Sequence, residues 1–271
     1  MGIVDVGWLA QHLDDDDVVV VDCRWALFDP SAGRHLYELR HVPGASFLDV
    51  DSDLAAPPGE RGRHPLPGAS AFERAASIAG IGPGKRVVAY DESGEGGAVR
   101  LWWLLRHFGH DAADVLDGGM LAWREAGLPV ESGPPPELDG RFAARERSDD
   151  MIDAAELHER QGEPGLTLLD ARARERYAGE TEPIDPVAGH IPGARNVPYA
   201  EIAPKGRFLS PDELRDRIGD GSYELVAYCG SGVTACTLLL AAEVAGLPAG
   251  RLYPGSWSEW SGRGLPVEIG P

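Results

Sequence analysis

A cysteine at the start of a glycine-containing loop is the strongest sign of chemistry in this sequence. Cys229 directly follows the aliphatic run 225–228, and Gly-Ser-Gly-Val-Thr separates it from a second apolar run that begins at Ala235. Glycines allow successive backbone N–H groups to point into one concavity, and the N-terminus of a following helix adds positive potential there. A sulfur atom held at this point is expected to be a nucleophile at neutral pH. We therefore predict that Cys229 is catalytic rather than merely packed at a strand end.

The loop after Cys229 argues against one class of cysteine enzyme. Cysteine-dependent phosphatases also place their nucleophile between a strand and a helix, but an arginine that clamps the phosphoryl group closes their loop. Five residues intervene here, and the closing residue is Ala235. Because no guanidinium is available at this point, the sequence disfavours phosphatase chemistry.

The segments around Cys229 belong to a regular alternation of apolar runs and amphipathic stretches. Runs without polar alternation are typical of strands buried on both faces of a parallel sheet. The four runs are Val18–Val21, Val87–Tyr90, Leu166–Leu169 and Leu225–Tyr228. The stretches predicted as helices are Ser70–Ala79, Val99–Phe108, Pro211–Ile218 and Ala235–Ala245. Ser210 is predicted to cap the third helix, and Gly109 and Gly246 to follow the ends of the second and fourth.

Strands that alternate with helices predict an α/β fold in which each sheet is mainly parallel and has helices on both faces. Ligands in such folds bind at the carboxyl ends of strands. This is the position of Cys229, so the predicted fold and the predicted nucleophile agree.

The same blocks of sequence occur twice along the chain. His41-Val-Pro-Gly-Ala in the first half corresponds to His190-Ile-Pro-Gly-Ala in the second. One pair of blocks precedes this pair and two follow it in the same order, and the last pair ends at Trp123 and Trp260. Four pairs in one order indicate a tandem duplication.

The duplication predicts two domains with different chemistry. We expect an N-terminal domain at 1–132, a proline-containing connector at 133–148 and a C-terminal domain at 149–271. Asp91 stands in the first copy where Cys229 stands in the second. Only the C-terminal domain is therefore predicted to be catalytic.

Composition and charge exclude several other functions. The chain has 271 residues, of which 43% are hydrophobic, and its formal net charge of −19 disfavours nucleic acid as a partner. No apolar run is long enough for a transmembrane helix, and the N-terminal residues do not resemble a signal peptide, so we expect a cytoplasmic protein without a membrane partner. Three cysteines are too few for a disulfide framework, and Cys23 and Cys236 are predicted to be buried.

The loop Cys229-Gly-Ser-Gly-Val-Thr-Ala, the paired His-x-Pro-Gly-Ala blocks and the duplication resemble the two-domain rhodanese-type sulfurtransferases. The resemblance extends from about Val18 to Trp260. It implies that each copy is a rhodanese-like domain and that Cys229 carries sulfur as a persulfide, without a metal or an organic cofactor. A small-molecule donor would supply the sulfur, and cyanide or a thiol would accept it, with a thioredoxin-like reductant as a further candidate partner. Asp91 cannot accept sulfur, so the first domain is expected to be catalytically inactive.

The resemblance also implies roles for residues that bind the substrate. The loop after Cys229 would surround the substrate sulfur with Gly230, Gly232, Val233 and Thr234. Arg176 is similar to a family arginine that binds the donor, and Arg174 is an alternative two positions earlier.

A proton relay is a second implication of the resemblance. Asp51, His64 and Ser231 would form a trio in which the carboxylate orients the imidazole and the imidazole orients the hydroxyl. The alternative is that His64 is structural. His41 and His190 are predicted to be structural, with hydrogen bonds to the Pro-Gly turn of each copy.

Two features bear on the identity of the sulfur donor. The neutral residues Gly230 and Ser231 resemble the loop of mercaptopyruvate-type members, whereas thiosulfate-preferring members have basic residues there. Mercaptopyruvate-type members also have a second arginine shortly after Arg176, and the stretch 182–187 has none. We therefore predict 3-mercaptopyruvate as the better donor, with a weak KM and residual thiosulfate activity. The alternatives are a thiosulfate:cyanide sulfurtransferase, a sulfur-relay protein with a protein acceptor, and a binding module without catalysis.

Overall fold

The computed structural model of the chain describes Gly2–Pro271, which divide into two compact units. Unit 1 contains the chain up to Ala56, Pro67–Arg147 and Lys205–Phe208. Unit 2 contains Pro57–Leu66, Ser148–Pro204 and Leu209–Pro271. Unit 2 therefore includes ten residues that the sequence repeat assigns to the first copy. The predicted limits 1–132, 133–148 and 149–271 describe the repeats and stay a prediction.

Unit 1 is built on a parallel sheet of five strands in the order β1-β5-β4-β2-β3. The strands are β1 (Ile3–Val4), β2 (Val18–Asp22), β3 (Ser46–Phe47), β4 (Arg86–Tyr90) and β5 (Ala113–Leu116). The helices are α1 (Val6–His12), α2 (Ala32–Leu39), α3 (Ala69–Ile78), α4 (Gly97–His107) and α5 (Gly119–Glu125). The aliphatic β2 and β4 lie next to each other inside the sheet, as continuous apolar runs require.

Unit 2 contains a parallel sheet of four strands in the order β7-β6-β8-β9. The strands are β6 (Leu166–Asp170), β7 (Arg195–Asn196), β8 (Glu224–Tyr228) and β9 (Arg251–Leu252). The α-helices are α6 (Ala154–Glu159), α7 (Arg174–Tyr177), α8 (Tyr199–Ile202), α9 (Pro211–Ile218), α10 (Ala235–Val244) and α11 (Ser256–Gly262), and a 3₁₀ turn spans Pro204–Gly206. The two parallel sheets with their helices confirm the predicted α/β fold.

Each unit has its own hydrophobic core, and the two cores repeat one another. Trp123 is fully buried in unit 1, and its Nε1 donates to the carbonyl of Pro129 over 2.7 Å. Trp260 is fully buried in unit 2, and its Nε1 donates to Pro266 over the same distance. A buried tryptophan contributes a large apolar area once its N–H has an acceptor. The matched contacts agree with the tandem duplication.

Local sequence signals determine where the helices begin and end. The Ser210 side chain accepts the N–H of Glu213, whose carboxylate accepts the N–H of Ser210, and this capping box starts α9 at Pro211. Gly109 and Gly246 follow the ends of α4 and α10 with φ values of 87° and 70°, where glycine is favoured. These predictions are confirmed. None of the helices within Gly2–Pro271 is long and apolar enough to cross a membrane.

The predicted hydrogen-bond partners of His41 and His190 are wrong. His41 and His190 are buried and structural, but their Nδ1 atoms lie 2.8 Å from the carbonyls of Tyr37 and Tyr177 and not at the Pro-Gly turns. Each imidazole stacks on the ring of that tyrosine, with centroids 4.0 and 3.7 Å apart. The turns have other partners, since the N–H of Gly44 donates to the Glu131 carboxylate over 3.0 Å.

Candidate active site

Cys229 is the first residue after β8, and α11 fixes its backbone on both sides. Its N–H donates to Oγ of Ser256 over 3.1 Å, and its carbonyl accepts the N–H of Trp257 over 3.0 Å. Its side chain is buried. The sulfur therefore projects from a backbone that two different hydrogen bonds hold in place.

The loop after Cys229 directs a backbone donor at the sulfur. The N–H of Gly232 lies 3.1 Å from Sγ of Cys229. Gly232 has a φ of 78°, and a Cβ at this position would lie 2.3 Å from the carbonyl oxygen of Pro254, so only glycine fits. Val233 is buried, and Thr234 is the N-cap residue of α10. The predicted concavity thus has an N–H that can stabilise negative charge on sulfur.

Two of the three predicted relay residues meet in unit 2. Nδ1 of His64 lies 2.7 Å from Oγ of Ser231, and both side chains are buried. Asp51 belongs to unit 1, where its N–H donates to the Asp49 carboxylate over 2.9 Å. Burial and the charge of Asp49 raise the pKa of Asp51 above its ordinary value. His64 and Ser231 are thus close enough to exchange a proton, and the relay of Asp51, His64 and Ser231 stays a prediction.

The two arginines predicted as candidates both lie in α7, and of these Arg176 lies beside the loop that follows Cys229. A Cβ placed on Gly230 would lie 3.4 Å from Nη1 of Arg176. Arg174 instead pairs with Glu201 over 2.7 Å, and 61% of its side chain is exposed. The geometry therefore favours Arg176 as the residue that meets a substrate over Gly230.

A second arginine, Arg63, lies at the same place and was missed by the sequence analysis. A Cβ on Gly230 would lie 3.0 Å from Nη2 of Arg63. Nη1 of Arg63 binds the carboxylate of Asp185, which also accepts from Nη2 of Arg176 over 3.2 Å. The contact joins residues 122 positions apart, so spacing along the chain could not reveal it. The only sequence signal was the position of Arg63 directly before His64.

The stretch 182–187 supplies carboxylates where the family pattern would place an arginine. The side chain of Glu182 is 3% exposed, and its carboxylate accepts Nη2 of Arg176 over 2.7 Å and Nη1 of Arg172 over 3.4 Å. Burial by itself opposes ionisation of Glu182, but the hydrogen bond from Arg176 and the backbone N–H of Asp185 hold the pKa of Glu182 below its ordinary value. Glu182 is therefore a charged group that holds Arg176 in place.

In unit 1 the corresponding loop binds its own side chain. The Asp91 carboxylate accepts the backbone N–H groups of Gly94, Gly96 and Ala98 at 2.8, 3.0 and 3.3 Å. Burial, followed by the charge of Glu95, raises the pKa of Asp91 to about 7. The N–H groups that would serve an anion in this loop are thus taken up by a carboxyl group of the chain.

The remaining cysteines have surroundings unlike those of Cys229. Both are fully buried, and Sγ of Cys236 donates to the carbonyl of Gly232 over 3.5 Å. Burial, with added repulsion from Asp22 and Asp91, raises the pKa of the Cys23 thiol well above its ordinary value. Within Gly2–Pro271, no group of three or more His, Cys, Asp or Glu side chains is arranged to hold a metal ion.

Comparison with known proteins agrees with this architecture. The family model described as "Rhodanese-like domain" matches residues 5–126 and 153–263. A Pseudomonas aeruginosa protein named "Probable 3-mercaptopyruvate sulfurtransferase" is 47% identical over 261 residues, which cover 93% of this chain and 92% of that protein. A Mycobacterium tuberculosis protein named "Putative thiosulfate sulfurtransferase SseB" is 39% identical and covers 91% of this chain and 88% of its own length.

A solved structure extends the match to three dimensions. The 3-mercaptopyruvate sulfurtransferase from Leishmania major superposes with a TM-score of 0.82 at 32% identity, covering 97% of this chain and 74% of that one. Both copies of the repeat match the family model, and the relatives span nearly the whole chain. The chain therefore belongs to the family of two-domain rhodanese-type sulfurtransferases.

Proposed function

We propose that this sulfurtransferase moves sulfur from 3-mercaptopyruvate to a thiol or to cyanide through a persulfide on Cys229. The observation that carries the proposal is the contact of the Gly232 N–H with Sγ of Cys229, because this donor can stabilise both a thiolate and a persulfide anion. The guanidinium of Arg176 beside Gly230 supports an anionic donor. The Pseudomonas aeruginosa relative bears a name for the same activity.

In the first half of the cycle, the Cys229 thiolate attacks the sulfur of 3-mercaptopyruvate. The S–S bond forms as the C–S bond breaks, and the electron pair of that bond passes to the departing carbon as an enolate. The thiol proton of the donor must move to this carbon to give pyruvate. The hydrogen-bonded pair of Ser231 and His64 is a suitable carrier for this proton.

In the second half, the acceptor removes the outer sulfur. A thiolate or cyanide attacks this atom, and Cys229 leaves as a thiolate that again receives the Gly232 N–H. A thioredoxin-like reductant would act as such a thiol. We place the reaction in the cytoplasm, since a reducing compartment keeps Cys229 free of disulfides between turnovers.

Thiosulfate is the second candidate donor, favoured by the name of the Mycobacterium tuberculosis relative. Thiosulfate is a small dianion, and a loop selective for it should carry cations directly after the cysteine. Gly230 and Ser231 are neutral there. We therefore expect 3-mercaptopyruvate to have the higher kcat/KM, with residual activity on thiosulfate.

Steady-state kinetics with both donors and one common acceptor test this expectation. The Cys229→Ser variant is the blank for reaction in solution. A higher kcat/KM for thiosulfate would contradict the proposed donor and leave sulfur transfer through Cys229 in place.

A further inference from the structure

We infer that Arg63 binds the carboxylate of the sulfur donor and is the second arginine that the stretch 182–187 lacks. The inference rests on the proposed function and names a residue that determines its specificity. Carboxylates of the chain bind a different edge of the guanidinium in each arginine, and the inference follows from this difference.

A guanidinium binds a carboxylate best through two parallel N–H groups. In Arg176 this pair is already bound, because Nε and Nη2 donate to the two oxygens of Glu182 over 3.2 and 2.7 Å. Nη1 and Nη2 of Arg176 lie 3.4 and 3.6 Å from the Cβ position of Gly230, and of these two only Nη1 is not bound to a carboxylate. Arg176 can therefore offer a donor the N–H groups of Nη1 but not a free Nε–Nη2 edge.

Arg63 presents the opposite arrangement. Asp185 binds its Nη1, whereas its Nη2 lies 3.0 Å from the Cβ position of Gly230. Its Nε is buried without a hydrogen-bond partner among Gly2–Pro271. A buried N–H without an acceptor is costly, so a site that retains one is suited to a ligand that supplies the acceptor. Nε and Nη2 together form the edge that can grip a carboxylate.

Carboxylates of the chain hold both arginines in position. Asp185, whose side chain is 4% exposed, binds Arg63 and Arg176 together, and Glu182 holds Arg176. Gly230 has no side chain, so a donor lying over it meets Arg63 and Arg176 next to Cys229. A carboxylate can bind the Nε–Nη2 edge of Arg63 with both of its oxygens.

The test compares Arg63→Gln and Arg63→Lys with Arg61→Gln in the full chain. Arg61 is a matched control because it is exposed and only two residues away. Both Arg63 variants should raise KM for 3-mercaptopyruvate about tenfold to a hundredfold, the loss expected for a charge-assisted contact. Arg61→Gln should leave KM for 3-mercaptopyruvate unchanged. Lysine keeps the positive charge beside Asp185 but lacks the planar edge of the guanidinium. A weaker binding of the donor in a folded Arg63→Lys variant is therefore due to the missing edge and not to a loss of folding.

A second readout does not depend on turnover. Pyruvate carries the same carboxylate, and it should slow alkylation of Cys229 by iodoacetamide in the wild-type chain and in Arg61→Gln but not in the Arg63 variants. The inference is overturned if pyruvate gives the wild type no protection, or if the Arg63 variants keep both the wild-type KM and the protection. If the wild type does not turn over 3-mercaptopyruvate while protection is lost only in the Arg63 variants, the proposed donor fails and the carboxylate site stands.

Discussion

At the scale of single residues, burial does not distinguish Cys229 from the other two cysteines. All three side chains are at most 2% exposed. The difference lies in the neighbouring groups, since the sulfur of Cys229 receives the N–H of Gly232, whereas Cys236 donates to a carbonyl and Cys23 lies among carboxylates. A hydrogen-bond donor favours the thiolate, and an acceptor or a negative charge favours the thiol. Reactivity is therefore expected at one sulfur only.

The relay residues should affect the two donors differently. Ser231→Ala or His64→Gln should lower kcat with 3-mercaptopyruvate about a hundredfold, the scale of lost acid–base catalysis, because the departing carbon needs a proton. Sulfite leaves thiosulfate without such a proton, so that kcat should change only a few-fold. Steady-state kinetics of each variant with both donors measure the difference. An equal loss with both donors would mean that the pair only positions the loop.

Residue by residue, the sequence could identify those parts of the site that are contiguous. The loop from Cys229 to Thr234 is one segment, so its glycines and the following helix were visible together. His64 and Ser231 were linked only through a family resemblance, and they do lie in contact. The position of Arg63 was missed because it depends on Asp185, a partner 122 positions away that the sequence gives no reason to pair with it.

At the scale of elements, the strands and helices were predictable because their signals are local. Continuous aliphatic runs gave the four central strands, and the box of Ser210 and Glu213 gave the start of α9. Side-chain partners were not equally predictable. His41 and His190 sit in Pro-Gly-Ala blocks, yet each stacks on a tyrosine, and the turn amide of Gly44 is bound by a distant glutamate.

The same strand–loop–helix element holds a different acceptor in each copy. After β8 a backbone N–H meets the sulfur of Cys229, and after β4 three N–H groups meet the carboxylate of Asp91. The next turn is repeated too, with Gly119 at a φ of 55° in unit 1 and Ser256 at 52° in unit 2. Serine is strained in this conformation, and its Oγ accepts the N–H of Cys229, so serine at this position adds a hydrogen bond to the backbone of Cys229.

The Asp91 loop should make stability depend on pH. Burial raises the pKa of Asp91 to about 7 in the folded chain, whereas an aspartate in an unfolded chain has a pKa of about 4. The unfolded chain therefore loses this proton first as pH rises, and the stability that the protonated carboxyl contributes is lost between about pH 4 and pH 7. Asp91→Asn does not titrate, so its unfolding midpoint in urea, relative to the wild type, should increase from pH 5 to pH 8.

The matched control for this measurement is Glu95→Gln. The charge of Glu95 is the second cause of the raised pKa of Asp91, so its removal should reduce the pH dependence without abolishing it. If the urea midpoints of Asp91→Asn and the wild type differ by the same amount at pH 5 and pH 8, the assignment of the pH dependence to Asp91 is contradicted.

At the scale of the whole molecule, the two copies of the repeat contribute unequally to one site. Unit 2 contains Cys229, and it also contains Pro57–Leu66, which come from the first copy. This segment carries Arg63 and His64, one beside Gly230 and the other bound to Ser231. The first copy has Asp91 where the second has Cys229, yet it supplies two side chains that lie near that cysteine. The duplication has thus become a division of roles between the copies.

This division predicts one transferable sulfur per chain. After treatment with 3-mercaptopyruvate and removal of excess donor, intact-mass spectrometry should show a gain of one sulfur atom on the wild type. Cys23→Ser and Cys236→Ser should show the same gain, because the N–H of Gly232 reaches neither sulfur, Cys236 donates to a carbonyl, and the pKa of Cys23 is raised. Cys229→Ser should show none while keeping its fold, since Gly232 and the start of α11 determine the loop geometry. A gain of two sulfur atoms on the wild type, or any gain on Cys229→Ser, would mean that a second cysteine carries sulfur.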